Sequence, residues 1–125
     1  PIGATVNMDG SSLYQAVAAV FIAQAFGMNL DLYTQLGIIV TATLASIGSA
    51  AVPGAGMVML VIVLAQAGIP EAGLALIFAV DRPLDMCRTV VNVTGDATVS
   101  MLVAKSVGKL KDIPEEKKWD DHLNQ

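Results

Sequence analysis

Five side chains between positions 81 and 96 have the types and spacing to do chemistry together. Asp81, Asp85, Arg88, Asn92 and Asp96 recur at three- and four-residue intervals within "VDRPLDMCRTVVNVTGD", residues 80–96. At about 100° per helical residue, with Asp85 at zero, they fall near −40°, 0°, −60°, −20° and +20°, an arc of roughly 80°. Thr89 borders the arc at about +40°, while Leu84, Met86, Val90, Val91 and Val93 cover the rest of the wheel. A polar stripe this narrow on an apolar helix faces a protein interior or a water-filled cavity, not lipid. Each ionised side chain in a membrane helix costs roughly 2.5–3.5 kcal/mol at the centre, so the stripe needs pairing or ligands. Asp85 and Arg88, at i and i+3, can pair with each other, and Asp81 with Arg88 less directly. Carboxylates still outnumber cations in the stripe, which invites a cation or a proton. Arg88 presents a planar fork suited to a carboxylate, whether a neighbour's or a ligand's. A purely structural ion-pair network is the competing reading.

Two further polar pieces interrupt apolar sequence. In "PIGATVNMDGSS", residues 1–12, Asn7, Asp9 and Gly10 discourage continuous helix and predict an unwound segment with free carbonyls. Carbonyls beside a carboxylate suit a hard cation such as Na⁺ better than a soft metal. The alternative is a plain turn that caps the next helix through Asp9 or Ser11. Residues 32–70 contain no charged side chain and are too long for one membrane span of about 20 residues. They are broken by "SIGSAAVPGAG", residues 46–56, where glycines, a proline and serines make helix unfavourable. The short arms 33–45 and 57–67 therefore predict a re-entrant helical hairpin whose tip faces a site, because bare backbone at membrane depth needs a cavity or protein around it. Two soluble core helices joined by a loop are the alternative.

The elements that must position these residues follow from composition. Of 125 residues 54% are hydrophobic and 14% charged, and the mean hydropathy is +0.64. Soluble domains carry about 25% charged residues, so an all-α membrane protein is expected. Four regions separate: 1–30, a discontinuous transmembrane helix; 32–70, the hairpin; 71–109, one long transmembrane helix; and a polar tail, 110–125. The chain starts at Pro1 without a signal-peptide pattern and reads as an internal or C-terminal piece of a longer protein. Lys105, Lys109, Lys111, Lys117 and Lys118 crowd its end, which places the C-terminus on the cytoplasmic side. Cys87 is expected to pack as a small hydrophobe and His122 to be a solvated tail residue. An intramembrane aspartyl protease also needs facing carboxylates, but it expects Gly-x-Gly-Asp where this chain has Val93-Thr94-Gly95-Asp96. That class also leaves Arg88 and the hairpin unexplained.

"NMDGS" at 7–11, "SIGSAAVPGAG" at 46–56 and "DMCRTVVNVTGD" at 85–96 together resemble the glutamate transporter family, the dicarboxylate/amino acid:cation symporters. The resemblance runs from Pro1 to about Lys109 and corresponds to the C-terminal part of the transport domain: the end of the seventh transmembrane helix, the second re-entrant hairpin and the eighth transmembrane helix. It implies sodium-coupled uptake of an acidic amino acid by an elevator motion with the hairpin as gate, in a multi-pass plasma (cell inner) membrane protein that is not an enzyme. It further implies a homotrimer when full length, contact with the lipid bilayer, no organic cofactor and no nucleic-acid partner. By the same resemblance Asp85 takes the substrate's amino group and Arg88 its side-chain carboxylate. Thr89 and Asn92 complete the pocket with Ser11, where the family more often has Thr, and with Val52 and Gly56 of the tip. Asn7, Asp96 and the backbone of Gly3 and Asn92 resemble one sodium site. Thr5 with the backbone of Ser46, Ile47 and Ser49 resembles a second, and Asp9 with Asn7 a third. Relatives that couple to protons or carry dicarboxylates without an amino group tend to change the positions of Asp85 and Asp96, and both are Asp here. The departures are Arg82 and Pro83, which add a charge and a kink early in the last helix, and Ala51, where the family often has Gly.

Overall fold

A computed structural model describes residues 2–49 and 54–110, and every regular element among them is helical. The order is α1 (Ile2–Val6), α2 (Asp9–Ala25), α3 (Leu32–Ile47), α4 (Ala55–Gln66), a 3-10 turn (Glu71–Gly73), α5 (Leu74–Phe78) and α6 (Asp81–Ser106). Val52 and Ala51 of the tip, and Lys111, Lys117, Lys118 and His122 of the tail, lie outside the described residues.

α2 is the centre of the assembly, since α3, α4 and α6 all pack on it. Its buried face runs through Ser11, Gln15, Ala18, Ala19, Ile22 and Ala23, the spacing of one helical stripe. Three alanines on that face let the hairpin come close, the usual device where packing rather than water exclusion must hold helices together. The hairpin answers with Ile38, Ala42 and Ser46 from α3 and Gly56, Leu60, Val63 and Leu64 from α4. Ile69 and Ile77, buried on either side of the 3-10 turn, close this core from below. Outside it the chain shows a large apolar surface, including Leu13, Val17 and Phe21 of α2, Ile39 and Leu44 of α3, and Met86, Val90, Val93 and Leu102 of α6.

Gly27, at φ +68°, lets Met28 N–H reach back to the Ala23 carbonyl at 2.9 Å and so stops α2. Asp31 then starts α3: its carboxylate accepts from Thr34 N–H at 3.1 Å and from the Thr34 hydroxyl. The Thr34 hydroxyl, followed by its N–H, holds the Asp31 carboxyl below the usual carboxylate range.

The breaks are shorter than the sequence predicts. Only Asn7 and Met8 separate α1 from α2, and the Met8 carbonyl accepts from Ser11 N–H at 3.0 Å and Ser12 N–H at 3.2 Å, so it is not free. Among the described residues no side chain caps the start of α2. Helix also enters the predicted hairpin tip from both sides. Ser46 is still helical, its hydroxyl donating to the Thr43 carbonyl at 2.8 Å, and Gly54, at φ +83°, turns the chain into α4.

The single long helix predicted for 71–109 is broken at Ala79–Val80. Pro83 is the reason: it has no N–H for the Ala79 carbonyl and its ring crowds that carbonyl, so helix cannot run through. In the first turn of α6, where no intrahelical N–H bond is due, the same residue is harmless. The expected kink is therefore a fresh helix start. Among the described residues no helix is both long and apolar enough to cross a membrane alone, because α6, with 26 residues, carries the charged stripe. Cys87, expected to pack, is exposed: it points about 200° from Asp85, away from α2.

Gln15 escapes sequence reasoning. It is fully buried, yet neither amide atom has a hydrogen-bond partner among the described residues. An unmatched buried amide costs roughly 1–3 kcal/mol. Gln15→Met, close in shape, should therefore raise the melting temperature of the purified intact protein by a few degrees. A lower melting temperature would mean the amide is used.

Candidate functional site

The predicted stripe is the face of α6 turned to the start of α2. The two helices run antiparallel, and their polar residues meet turn by turn. The Tyr14 hydroxyl donates to Asp81 Oδ1 at 2.8 Å. Gly10 N–H donates to Asn92 Oδ1 at 2.8 Å, while Asn92 Nδ2 donates to Ser11 Oγ at 3.1 Å. Asn7 Nδ2 donates to Asp96 Oδ1 at 3.1 Å. α6 has no fully buried residue, so a polar seam holds it where an apolar face holds the hairpin.

Close approach makes this seam possible. A Cβ on Gly10 would lie 2.5 Å from the Arg88 carbonyl oxygen and 3.0 Å from Asn92 Oδ1. A Cβ on Gly95 would lie 2.9 Å from Asn7 Nδ2 and 3.4 Å from Asp9 Oδ2. Gly10 marks backbone that a side chain would push away, and Gly95 leaves room for the Asn7 and Asp9 side chains.

Arg88 is the hub. It forms an ion pair with Asp85 one turn earlier, its guanidinium carbon sits 5.4 Å from the centre of the Tyr14 ring, and a Cβ on Gly56 would overlap its Nη1. Its side chain is only 19% exposed, so this is no loose surface pair. Gly56 lies in the first turn of α4, at the positive end of the helix dipole. A guanidinium pressed against that end leaves two positive groups side by side, and an anion set between them would satisfy both. The space exists: a cavity of about 420 Å³ is lined by Gly54, Gly56, Met57, Phe78, Asp81, Arg82, Asp85 and Arg88.

Of the residues expected to hold substrate, Gly56, Asp85 and Arg88 line this cavity. Ser11 and Asn92 pair with each other in the adjoining seam. The Thr89 hydroxyl is turned back to the Asp85 carbonyl at 2.8 Å. Of the expected cation ligands, Gly3, Asn7 and Asp96 share a second cavity of about 210 Å³ with Ala4, Val99 and Ser100. Asp9 lines a separate open groove with Gly95, flanked by Thr94 and Thr98. α1, which carries Thr5, packs on α3, which carries Ser46 and Ile47; Ser49 N–H donates to the Ser46 carbonyl at 3.2 Å. Among the described residues no three His, Cys, Asp or Glu side chains cluster to hold a metal, so a cation here would depend on carbonyls and amides as much as on carboxylates.

Sequence reasoning missed Tyr14. The signal was available, because positions 7, 10, 11 and 14 repeat at helical spacing and put the tyrosine on the polar edge of α2.

Residues 1–106 match the sodium:dicarboxylate symporter family. The chain belongs to that family. Among its relatives, excitatory amino acid transporter 3 of Oryctolagus cuniculus is 57% identical over 105 residues, 84% of this chain and 20% of the relative. Excitatory amino acid transporter 5 of Homo sapiens is 52% identical over 104 residues, 83% of this chain and 19% of the relative. The proton/sodium-glutamate symport protein of Bacillus subtilis (strain 168) is 46% identical over 108 residues, 86% of this chain and 25% of the relative. The chain thus spans about a fifth to a quarter of the length of these relatives. The matched region ends at the end of α6, so it contains every helix of the described structure.

Proposed function

We propose that this chain is the substrate- and cation-binding part of a secondary symporter that carries an acidic amino acid together with Na⁺. The observation that carries the reading is the Asp85–Arg88 pair, held against Gly56 at the first turn of α4 beside a cavity large enough for a small solute. The pair works as an exchangeable contact. A zwitterion with an acidic side chain can replace one internal ion pair by two, its ammonium on Asp85 and its carboxylate on Arg88. The second carboxylate then meets the N–H groups at the start of α4, which favours closure of the hairpin over the cavity. No bond is made or broken, so the chain acts as a carrier and not an enzyme.

Asn7 and Asp96, with the carbonyl of Gly3, offer one Na⁺ site in the smaller cavity. The other proposed ligands are Thr5 with the backbone of Ser46, Ile47 and Ser49, then Asp9 with Asn7, and the backbone of Asn92. Thr89, Asn92, Ser11 and Val52 complete the substrate pocket in this reading. Cation and substrate are linked through α6 itself, since Arg88, Asn92 and Asp96 succeed one another on one face of a rigid helix.

In the intact protein α2 and α6 are parts of membrane-spanning segments, α3 and α4 form a re-entrant gate, and the tail is cytoplasmic. The large exposed apolar surface is then covered by lipid or by the rest of a homotrimeric transporter that moves this unit as an elevator in the plasma membrane. Proton coupling is the second reading, favoured by the similarity to the proton/sodium-glutamate symport protein.

Proteoliposomes containing the intact transporter decide between the two. An inward sodium gradient should drive accumulation of aspartate or glutamate, and Asp96→Asn should weaken the sodium dependence by roughly tenfold or more, since it removes a carboxylate charge beside the cation. Uptake driven equally by a pH gradient without sodium, and unchanged in Asp96→Asn, would move the assignment to proton coupling.

A further inference from the structure

We infer that Arg82 is a second anion-recognising residue of the cavity, one that draws an acidic substrate to its mouth before Arg88 takes the carboxylate. The inference rests on the substrate assignment above and extends it to a residue outside the proposed binding set. Arg82 lines the same cavity as Arg88 but is exposed. Among the described residues it has no ion-pair or hydrogen-bond partner. The carboxylate one turn away, Asp85, is paired with Arg88, and the neighbouring Asp81 accepts from Tyr14.

Stability does not explain its place. Arg82 is the second residue of α6, at the positive end of the helix dipole, where a cation is unfavourable and an acidic residue would be preferred. Geometry does. On the helix wheel Arg82 lies at about +60° and Arg88 at about −60°, with Asp85 between them, and six residues separate them by about 9 Å along the axis. The two guanidiniums thus bracket the cavity, one facing solvent and one enclosed by Asp85, Tyr14 and Gly56. An incoming anion meets the exposed charge first and the enclosed fork second. Charges so placed in a cleft raise the local concentration of an oppositely charged solute, an effect that salt removes.

Initial uptake rates of the intact transporter test this, with sodium fixed and ionic strength varied by N-methylglucamine chloride. At about 10 mM ionic strength, where the screening length is about 30 Å, Arg82→Gln should raise KM for aspartate or glutamate roughly three- to tenfold and keep the maximal rate. At about 150 mM, where that length is about 8 Å, the difference should shrink to less than about twofold. Arg82→Lys should restore the low-salt KM. Equal KM values for parent and Arg82→Gln at low ionic strength overturn the inference. So does a rise in KM that salt leaves unchanged and lysine does not rescue, which marks a structural role. Failure of the underlying assignment reads differently: full acidic amino acid uptake by Arg88→Gln rejects the substrate site whatever Arg82 does.

Discussion

Replacing Arg88 by Gln should lower uptake of aspartate and glutamate at least about 100-fold. Among the described residues Arg88 is the one enclosed cation of the cavity beside Gly56, and its fork can give a carboxylate two parallel charge-assisted hydrogen bonds. Each such bond is worth about 1.5–3 kcal/mol, and about 1.4 kcal/mol corresponds to a factor of ten. The same change leaves Asp85 without its partner, so part of the loss reflects a carboxylate that now repels an anionic substrate. Arg88→Lys keeps the charge but loses the fork and should fall between the two. Competition by neutral amino acids is the informative second measurement, because a cavity that keeps Asp85 but loses Arg88 still suits an ammonium group. Undiminished aspartate uptake in Arg88→Gln would show that the carboxylate is bound elsewhere.

The largest effect on stability is expected at Gly10. Alanine there puts a methyl group 2.5 Å from the Arg88 carbonyl oxygen and 3.0 Å from the Cβ of Val91. A backbone oxygen cannot rotate aside, so α2 must withdraw from α6. Withdrawal stretches the 2.8 Å bond from Gly10 N–H to Asn92 and loosens the whole seam, which has little apolar packing to fall back on. Overpacking of this kind costs about 1–3 kcal/mol, and the weakened hydrogen bond about 1 kcal/mol more. Gly10→Ala should therefore show a clearly lower melting temperature in detergent and reduced recovery of intact protein. A melting temperature equal to the parent's would mean that α2 and α6 are not in this close contact. Gly56 is a useful contrast: the nearest atoms a methyl there meets belong to the movable end of Arg88, so its cost falls first on the site.

Local geometry explains what was readable in the sequence. The stripe at 81, 85, 88, 92 and 96 follows from the helical period alone, and the structure places these residues on one face of α6. The interruptions near Asn7 and in the Gly/Pro-rich tip follow from backbone preferences, and helix does stop in both places. Both breaks are shorter in the structure because tertiary packing overrides propensity in the flanking turns, at Gly10 through its bond to Asn92 and at Ser46 through burial. Pro83 marks a disturbance in any reading of the sequence, but whether a proline kinks a helix or starts one depends on where the preceding turn ends. Cys87 was misplaced because burial on an apolar helix depends on which neighbours are present.

The sequence by itself determined the helical elements, the polar face and the residue types at the site, since each is set by neighbours within a few positions. Only the tertiary structure decided the pairing: Asn92 with Gly10 and Ser11, Asn7 with Asp96, Tyr14 with Asp81, and Arg88 against Gly56. Those contacts join residues more than 30 positions apart, and they depend on how closely two helices cross. At Gly10 the missing side chain sets that distance, and at Gly56 and Gly95 it makes room for Arg88, Asn7 and Asp9; such absences carry no pattern along the chain and acquire meaning only when another segment is laid against them.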